Sequence, residues 1–598
     1  MSTTTNIKQG DLVTYAIKVD GSAIPDYYQI HSIRVTKEVN RISCASVVLL
    51  DGSATEESFE ISSSATFIPG KAITIEAGYN SENKLIFTGL VTKQNLRIDN
   101  GLGSALTVEC KDQAVKMTVG RKSACFKDSL DSDVMSKLIG GYGGLSASVT
   151  ATDKKLAELV QYYCSDWDFM LSRAETNGMI VTTINNKVSV FKPDANTQSV
   201  LTIKYGDNLY SFDADLNAVT QLGAVKASAW DPKTQKLVTG TADNTLSGPG
   251  NIASKKLAEV VGLTEFELQT TAAQETDDLT GWAKAQMLKS GFAKITGETR
   301  FQGSALVEPG VFITLDGMGT RFNGDHLVSS VTHDIGDGNW FTDAQLGLST
   351  RWFVQEPEVM APAAAGLLPG IQGLYNATVK KIDADPDSVY RILIDLPLFD
   401  ATGAGLWARL ANFYSTSGAG AFFLPEVGDE VIVGFLNDDP RYPIILGSLY
   451  SANRKPYSQL NPNDKNSLKA IVTKSELRIV FNDEDKVLTI TTPAGNKIEL
   501  DDKNKQISIN DQNSNSMVMS DSGIAIKSAK NITIEADQKV SIKGTTGVDV
   551  AASSGDVSTS GLNIKEDAQA EYTASGSAAA TVKGGASLTL KGAMVMIN

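Results

Sequence analysis

An eight-residue period runs through the C-terminal part of the sequence, in the tripeptides Ile524-Ala-Ile526, Ile532-Thr-Ile534, Val540-Ser-Ile542 and Val548-Asp-Val550. After a polar stretch around Asp556 and Ser558, the first position of the repeat is occupied by Ile564, Tyr572, Ala580, Leu588 and Met596. Apolar residues two apart lie on one face of a strand, so each tripeptide predicts a short strand followed by a corner. A fixed period of this kind indicates a repeat architecture.

One octad supplies one face of a β-helical rung, and a closed rung needs about three faces. If three chains wind together, every strand edge finds a partner. We therefore predict a trimeric triple-stranded β-helix needle with a core formed by Ile524, Ile526, Ile532, Ile534, Val540, Ile542, Val548 and Val550. A single-chain β-solenoid and a disordered tail are the alternatives, although the strict frame and the absence of proline beyond Pro493 are not typical of disorder.

Upstream of the octads, pairs of apolar residues recur at spacings of nine to eleven residues, in Leu477/Ile479, Leu488/Ile490, Ile498/Leu500 and Ile507/Ile509. Asp, Asn, Gly and Ser fill the gaps and predict turns. We expect these strands to lengthen the needle.

The remaining sequence predicts a mainly β protein with a few helices. In residues 165–178, Ser165 is a candidate N-cap, Trp167, Met170, Leu171 and Ala174 form one apolar face, and Gly178 is the stop. A second helix is predicted over about 277–290, closed by Gly291. Between a Pro/Gly-rich linker at 360–370 and a second linker at 452–466 that is rich in Pro, Asn, Ser and Lys, dense turn signals among short strands predict a small barrel of the OB type.

The composition and the first residues of the sequence exclude some classes of function and localisation. The net charge of −15 argues against nucleic-acid binding, which needs a basic surface. The first residues lack the basic start and apolar segment of a secretory signal, and the four cysteines are scattered, so we expect synthesis and assembly in the cytoplasm.

Residues with catalytic or ligand-binding chemistry form no recognisable constellation, so we predict no catalytic residues, no metal site and no cofactor. His326 and His333 are seven residues apart and are expected on separate strands as structural histidines. Asp438-Asp439 lies before a proline and predicts a turn, and Asn482-Asp-Glu-Asp485 predicts an exposed hairpin. We therefore expect a protein that is not an enzyme.

The chain resembles the VgrG-type spike proteins of type VI secretion systems and the related hub-and-spike proteins of phage tails and extracellular injection particles. The resemblance rests on Ser165–Glu175, on Trp407-Ala-Arg409, on the runs Gly420–Val431 and Asp438–Tyr450, and on the octads with Gly592–Asn598. Pro309-Gly310 and the segment from Gly324 to His333 are also similar to the end of the family's hub region.

The resemblance implies a phage-tail-like hub of two barrel-like subdomains (1–365), an OB-fold collar (366–455), and a linker with the needle (456–598). It implies a homotrimer that joins the baseplate proteins and a hexameric, Hcp-like inner tube ring to a needle that pierces the target membrane mechanically. It also implies a PAAR-repeat tip protein, docked on Leu588, Leu590, Met594, Val595, Met596, Ile597 and Asn598. The protein would leave the cell within an injection particle when the sheath contracts.

Two other functions stay open at this point. One is a phage-tail-associated peptidoglycan hydrolase with an unrecognised site in the hub, and the other is a trimeric adhesin or tail fibre. Some family members carry an inserted lysozyme domain or an appended effector. The short linker after Tyr450 and the repeat frame at the end of the sequence predict neither here.

Overall fold

A computed structural model describes residues 11–99, 103–399 and 403–597. The chain divides into two compact units, Met1–Leu449 and Tyr450–Asn598. Strands account for 40% of the protein and helices for 11%, which confirms the predicted mainly β fold class.

The part of the chain up to about residue 350, called the hub below, contains twenty-one strands among its described residues. They are β1 (Val13–Val19), β2 (Ser22–Ala23), β3 (Ile30–Glu38), β4 (Cys44–Leu50), β5 (Ala72–Tyr79), β6 (Glu82–Asp99), β7 (Gly103–Lys111), β8 (Lys122–Leu130), β9 (Ser146–Val149), β10 (Lys155–Cys164), β11 (Ile180–Ile184), β12 (Lys187–Phe191), β13 (Leu201–Lys204), β14 (Leu209–Leu216), β15 (Ala224–Asp231), β16 (Lys236–Asp243), β17 (Phe266–Thr270), β18 (Ile295–Gln302), β19 (Phe312–Asp316), β20 (Gly324–Gly336) and β21 (Asn339–Leu346). Thirteen of them form one sheet, with the main order β14-β18-β21-β20-β3-β4-β7-β6-β5-β1-β2.

This sheet carries two hydrophobic cores. The first is built mainly from β1 and β3–β7, and the second from β13 and β18–β21. The long strand β20 serves both cores, because Ile335 packs in the first while Val328 and Val331 pack in the second. One continuous sheet therefore supports two separate hydrophobic cores.

Five helices accompany these sheets in the described part of the hub: α1 (Glu60–Ser63), α2 (Asp131–Gly140), α3 (Asp166–Thr176), α4 (Ser254–Val261) and α5 (Thr276–Phe292). The predicted helix at 165–178 is confirmed as α3. The Ser165 hydroxyl caps it by accepting a hydrogen bond from the Asp168 N–H at 3.1 Å. The predicted apolar face is buried, and Gly178 takes the positive φ of a helix stop.

The second predicted helix, over about 277–290, is confirmed as α5, although it does not close at Gly291 but continues to Phe292. Gly291 serves packing instead. A Cβ placed on it would lie 2.2 Å from Leu246 Cδ1, so Leu246 would have to shift to admit any larger residue. A glycine near the end of a helical pattern gives the same sequence signal whether it lies in the last turn of the helix or just after it. The sequence therefore does not fix the last residue of α5.

The predicted OB-type barrel is confirmed as a closed five-stranded barrel in the order β22-β23-β24-β28-β27. The strands of this region are β22 (Tyr375–Lys381), β23 (Ile392–Asp395), β24 (Leu406–Leu410), β25 (Ser415–Thr416), β26 (Ala419–Gly420), β27 (Glu430–Phe435) and β28 (Pro443–Leu449). Alternate residues such as Val431 and Val433 fill its core. The hairpin β25–β26 stands outside the barrel sheet.

The second unit begins with seven five-residue strands: β29 (Leu468–Val472), β30 (Arg478–Asn482), β31 (Val487–Thr491), β32 (Lys497–Asp501), β33 (Gln506–Asn510), β34 (Ser516–Ser520) and β35 (Gly523–Lys527). Each strand pairs antiparallel with the next, so the unit begins as a simple meander. The predicted upstream strands are present, although Leu477 lies just before β30, and Asp483–Asp485 lie in the turn between β30 and β31. They differ from the octads after Lys527 in that their backbone hydrogen bonds close within one chain.

Candidate functional site

One face of the meander carries two continuous rows of apolar side chains. Cross-strand pairing aligns the first row as Ile471, Ile479, Ile490, Ile498, Ile509, Met517 and Ile526. The second row runs from Phe481 through Leu488, Leu500, Ile507 and Met519 to Ile524. Residues two apart share a face of a strand, so the two rows lie side by side.

This apolar face is uncovered in a single chain. Ile507 and Ile509 are more than 40% exposed, whereas Ser508 between them, on the opposite face, is 4% exposed. A folded chain normally buries its apolar face and exposes its polar one. The meander therefore presents a surface that another polypeptide is expected to cover.

The first octad tripeptide, Ile524–Ile526, lies in β35 and pairs with β34, whereas the later octads continue the pattern without strand pairing within the chain. Residues 528–597 contain no strand, although their apolar residues keep the period of eight. The eight predicted needle-core residues, from Ile524 to Val550, are between 47% and 74% exposed. Their uncovered side chains and the missing strand pairing are what a single protomer of an intertwined fibre would show.

The predicted tip residues are likewise exposed. Leu588, Leu590, Met594, Val595, Met596 and Ile597 are all more than half exposed, while Asn598 lies outside the described residues. Among the octad positions, Tyr572 has a polar partner. The Glu566 carboxylate, which accepts a hydrogen bond from the phenol, raises the pKa of Tyr572.

Sequence reasoning missed part of this surface. Ile471, Phe481, Met517 and Met519 complete the rows, but none was predicted as a needle residue. The signal was present in Ser516-Met-Val-Met-Ser520, which repeats the pattern of two apolar residues flanked by polar ones.

His326 and His333, two of the three histidines of the sequence, are buried in the hub. Both lie on β20, so the expectation that they occupy separate strands is wrong; β20 is thirteen residues long and spans both cores. His326 Nε2 lies 2.7 Å from the carbonyl oxygen of Phe322, and His333 Nδ1 lies 3.1 Å from Thr342 Oγ1. Burial lowers the pKa of His333 to about 3.

The hub also holds buried charges that join distant segments. Lys37 Nζ donates to both carboxylate oxygens of Glu308, at 2.6 and 2.7 Å. Desolvation lowers the pKa of Lys37 and raises that of Glu308. Lys294 donates to the carbonyl oxygens of Ser247 and Ile252, and burial lowers its pKa to about 8.

Over residues 11–99, 103–399 and 403–597, histidine, cysteine and acidic side chains form no group of three that could hold a metal ion. The four cysteines, Cys44, Cys110, Cys125 and Cys164, are free thiols. None of the helices in the described part of the chain is both long and apolar enough to cross a membrane.

Comparison with known proteins gives two family matches. Residues 9–337 match the Alg8 N-terminal domain, and residues 375–450 match the type VI secretion system/phage-baseplate injector OB domain. The second match covers the barrel β22–β28.

Curated relatives share a short stretch with the chain. The type VI secretion system spike protein VgrG3 of Vibrio cholerae is 44% identical over 64 residues, which are 10% of this chain and 6% of that protein. The type VI secretion system spike protein VgrG5 of Pseudomonas aeruginosa is 46% identical over 52 residues, 8% of this chain and 7% of that protein. The chain thus spans less than a tenth of the length of these curated relatives.

Among solved structures, the 43 kDa tail protein of prophage MuSo2 from Shewanella oneidensis aligns with a TM-score of 0.44 and 10% sequence identity. The alignment covers 56% of this chain and 99% of that protein.

The injector OB domain and the VgrG relatives confirm the predicted class, a VgrG-type spike protein of contractile injection systems. Within that class, the chain belongs to the family described by the Alg8 N-terminal domain, whose match spans more than half of its 598 residues.

Proposed function

We propose that the chain is the structural, homotrimeric central spike of a contractile injection system. The observation that carries the proposal is the uncovered apolar surface of residues 471–597. It comprises two aligned rows on the meander and the octads that follow. Three copies of one chain satisfy a repeat that supplies one face per level, because every edge then meets a neighbour.

In this proposal the domains are a hub over residues 1–365, an OB collar over 366–455 and a linker with the needle over 456–598. The hub would join the baseplate proteins and an Hcp-like tube ring to the needle. The needle core would consist of the octad residues Ile524, Ile526, Ile532, Ile534, Val540, Ile542, Val548 and Val550. The role is mechanical rather than enzymatic: the spike transmits axial force and pierces the target membrane.

The end of the needle would dock a PAAR-repeat tip protein. Leu588, Leu590, Met594, Val595, Met596 and Ile597 offer exposed apolar side chains, which another β-structured protein would cover. Asn598 completes the proposed set. The protein would be assembled in the cytoplasm and leave the cell as part of an injection particle.

The proposal is tested by following the full-length protein into assembled particles. The wild-type chain is expected to co-sediment with sheath and tube, whereas a chain lacking residues 586–598 should stay trimeric and lose the tip protein. Tip binding that is unchanged by this deletion would refute the docking site. Turnover of purified peptidoglycan by the wild-type chain would instead favour the hydrolase.

A further inference from the structure

The collar carries an uncharged, aromatic arm whose large side chains lie outside the barrel core. We define the aromatic arm as residues 411–423, a hairpin built on β25 and β26. Its large side chains are exposed: Phe413 88%, Tyr414 55%, Phe422 72% and Phe423 59%. Together these rings present roughly 400–700 Å² of surface, as large as the patches that usually mark an interaction site on a monomer.

The arm is a formed structure with anchored ends. Leu410 before it and Leu424 after it both pack against the barrel core. The Ala421 N–H donates to the Tyr414 carbonyl at 2.9 Å, and Gly420 has a φ of +142°. A Cβ at Gly420 would lie 2.8 Å from the Tyr414 carbonyl oxygen, so the hairpin closes tightly there and holds the rings outward.

The same barrel offers a matching apolar wall on another set of strands. We call Leu374, Gly434 and Leu446 the leucine wall. Leu374 is 61% exposed and Leu446 is 49% exposed. The pairing of β27 with β28 shifts register at Leu446, a bulge that turns this side chain outward. Gly434 lies between the two leucines, since an added Cβ would be in van der Waals contact with both, 3.5 Å from Leu374 Cδ2 and 3.8 Å from Leu446 Cδ1.

We infer that the aromatic arm of one protomer packs on the leucine wall of the next, head to tail around the threefold axis. The inference rests on the proposed homotrimer and names a contact that completes it. Two different surfaces on one domain make a heterologous interface, which closes into a ring when the rotation allows.

The absence of charge in the arm and the short linker to the needle favour a second copy of this chain as the partner that the aromatic arm binds. No residue of the arm is charged in a chain of net charge −15, so copies meet there without like-charge repulsion. Only residues 450–467 separate β28 from β29, and this segment spans at most about 60 Å when fully extended. A trimeric needle would thus hold three collars at high effective concentration.

The test uses the full chain with a photoreactive benzoylphenylalanine in place of Phe422. Illumination should give an intermolecular cross-link whose peptides contain Leu374 or Leu446. The matched control carries the same probe at Tyr390, which is 82% exposed on the collar but outside the arm, and should give no such product.

The mass of each unilluminated sample separates the two claims. A trimer that gives no cross-link between arm and wall overturns this inference and leaves the proposed function standing. A monomer overturns both. As a second readout, the double variant Phe413→Ser/Phe422→Ser should fold normally and raise the concentration at which trimers dissociate about tenfold or more. An unchanged dissociation concentration would also contradict the contact.

Discussion

Glu175 and Lys289 form a buried ion pair between α3 and α5, with Glu175 Oε1 2.6 Å from Lys289 Nζ. The other oxygen of Glu175 accepts the Phe353 N–H at 2.6 Å, and Lys289 lies 5.3 Å from the centre of the Trp352 ring. The last residue of the segment Ser165–Glu175, which resembles the family's hub helix, thus joins three parts of the hub.

Replacing Glu175 with Gln should destabilise the hub by about 3–5 kcal/mol, because Lys289 would remain buried without its counter-charge. Urea unfolding followed by Trp fluorescence measures this, since all six Trp residues precede Tyr450. The matched control is Glu158→Gln, at an exposed carboxylate 3.9 Å from Lys127, which should change stability by less than about 0.5 kcal/mol. Equal effects of the two variants would show that the buried pair has no special role.

Two glycines of α5 should respond in opposite ways to alanine. Gly291→Ala forces a Cβ against Leu246 and should cost about 1–3 kcal/mol. Gly281→Ala meets no atom within 4 Å and should stabilise the helix by up to about 1 kcal/mol. Thermal unfolding of the two variants makes the comparison, and adding Leu246→Ala should lessen the loss at Gly291. A stabilising Gly291→Ala would refute the packing role.

His333 should make the hub sensitive to acid. It is neutral when folded, because burial lowers its pKa from 6.5 to about 3, so the unfolded chain binds the proton that the folded chain excludes. Its contribution to stability is therefore complete above pH 6.5 and is lost as the pH falls towards 3. The slope is at most about 1.4 kcal/mol per pH unit.

The measurement is the free energy of unfolding between pH 7 and pH 4. His333→Gln should flatten the acid limb, and His31→Gln, at an exposed position, is the matched control. If the wild type and the His333 variant lose stability in parallel, the acid sensitivity lies elsewhere.

Within the needle, substitutions on the two faces of one octad should differ in their effect on the stability of the trimer. Ile532→Asp would bring three carboxylates together near the axis and should destabilise the trimer by several kcal/mol. Thr533→Asp changes the neighbouring residue, which points to the other face, and should leave assembly nearly intact. Dissociation followed by light scattering during heating compares them. A trimer of Ile532→Asp that is as stable as wild type would contradict the inward orientation.

Local patterns in the sequence predicted the local structure well. Ser165 caps α3, the apolar face of that helix is buried, and the alternation at Val431 and Val433 builds the barrel wall. Each of these depends on residues close in sequence, where periodicity and capping chemistry decide the conformation.

Features set by distant contacts were not predictable. Gly291 lies inside α5 and packs against Leu246, forty-five residues earlier, a contact that no local pattern shows. His326 and His333 share one strand because β20 pairs with β3 from the other end of the hub. Phe413 and Phe422 are exposed because they lie outside the barrel core, and no local sequence pattern predicts which residues pack there.

The central claim is that three identical chains complete a surface that one chain leaves open. Multi-angle light scattering of the purified full-length protein at micromolar concentration tests it most directly. The account predicts a single species of three times the 63.7 kDa chain mass, which persists on dilution. A stable species of 63.7 kDa, with residues 528–597 protected from proteolysis, would contradict it.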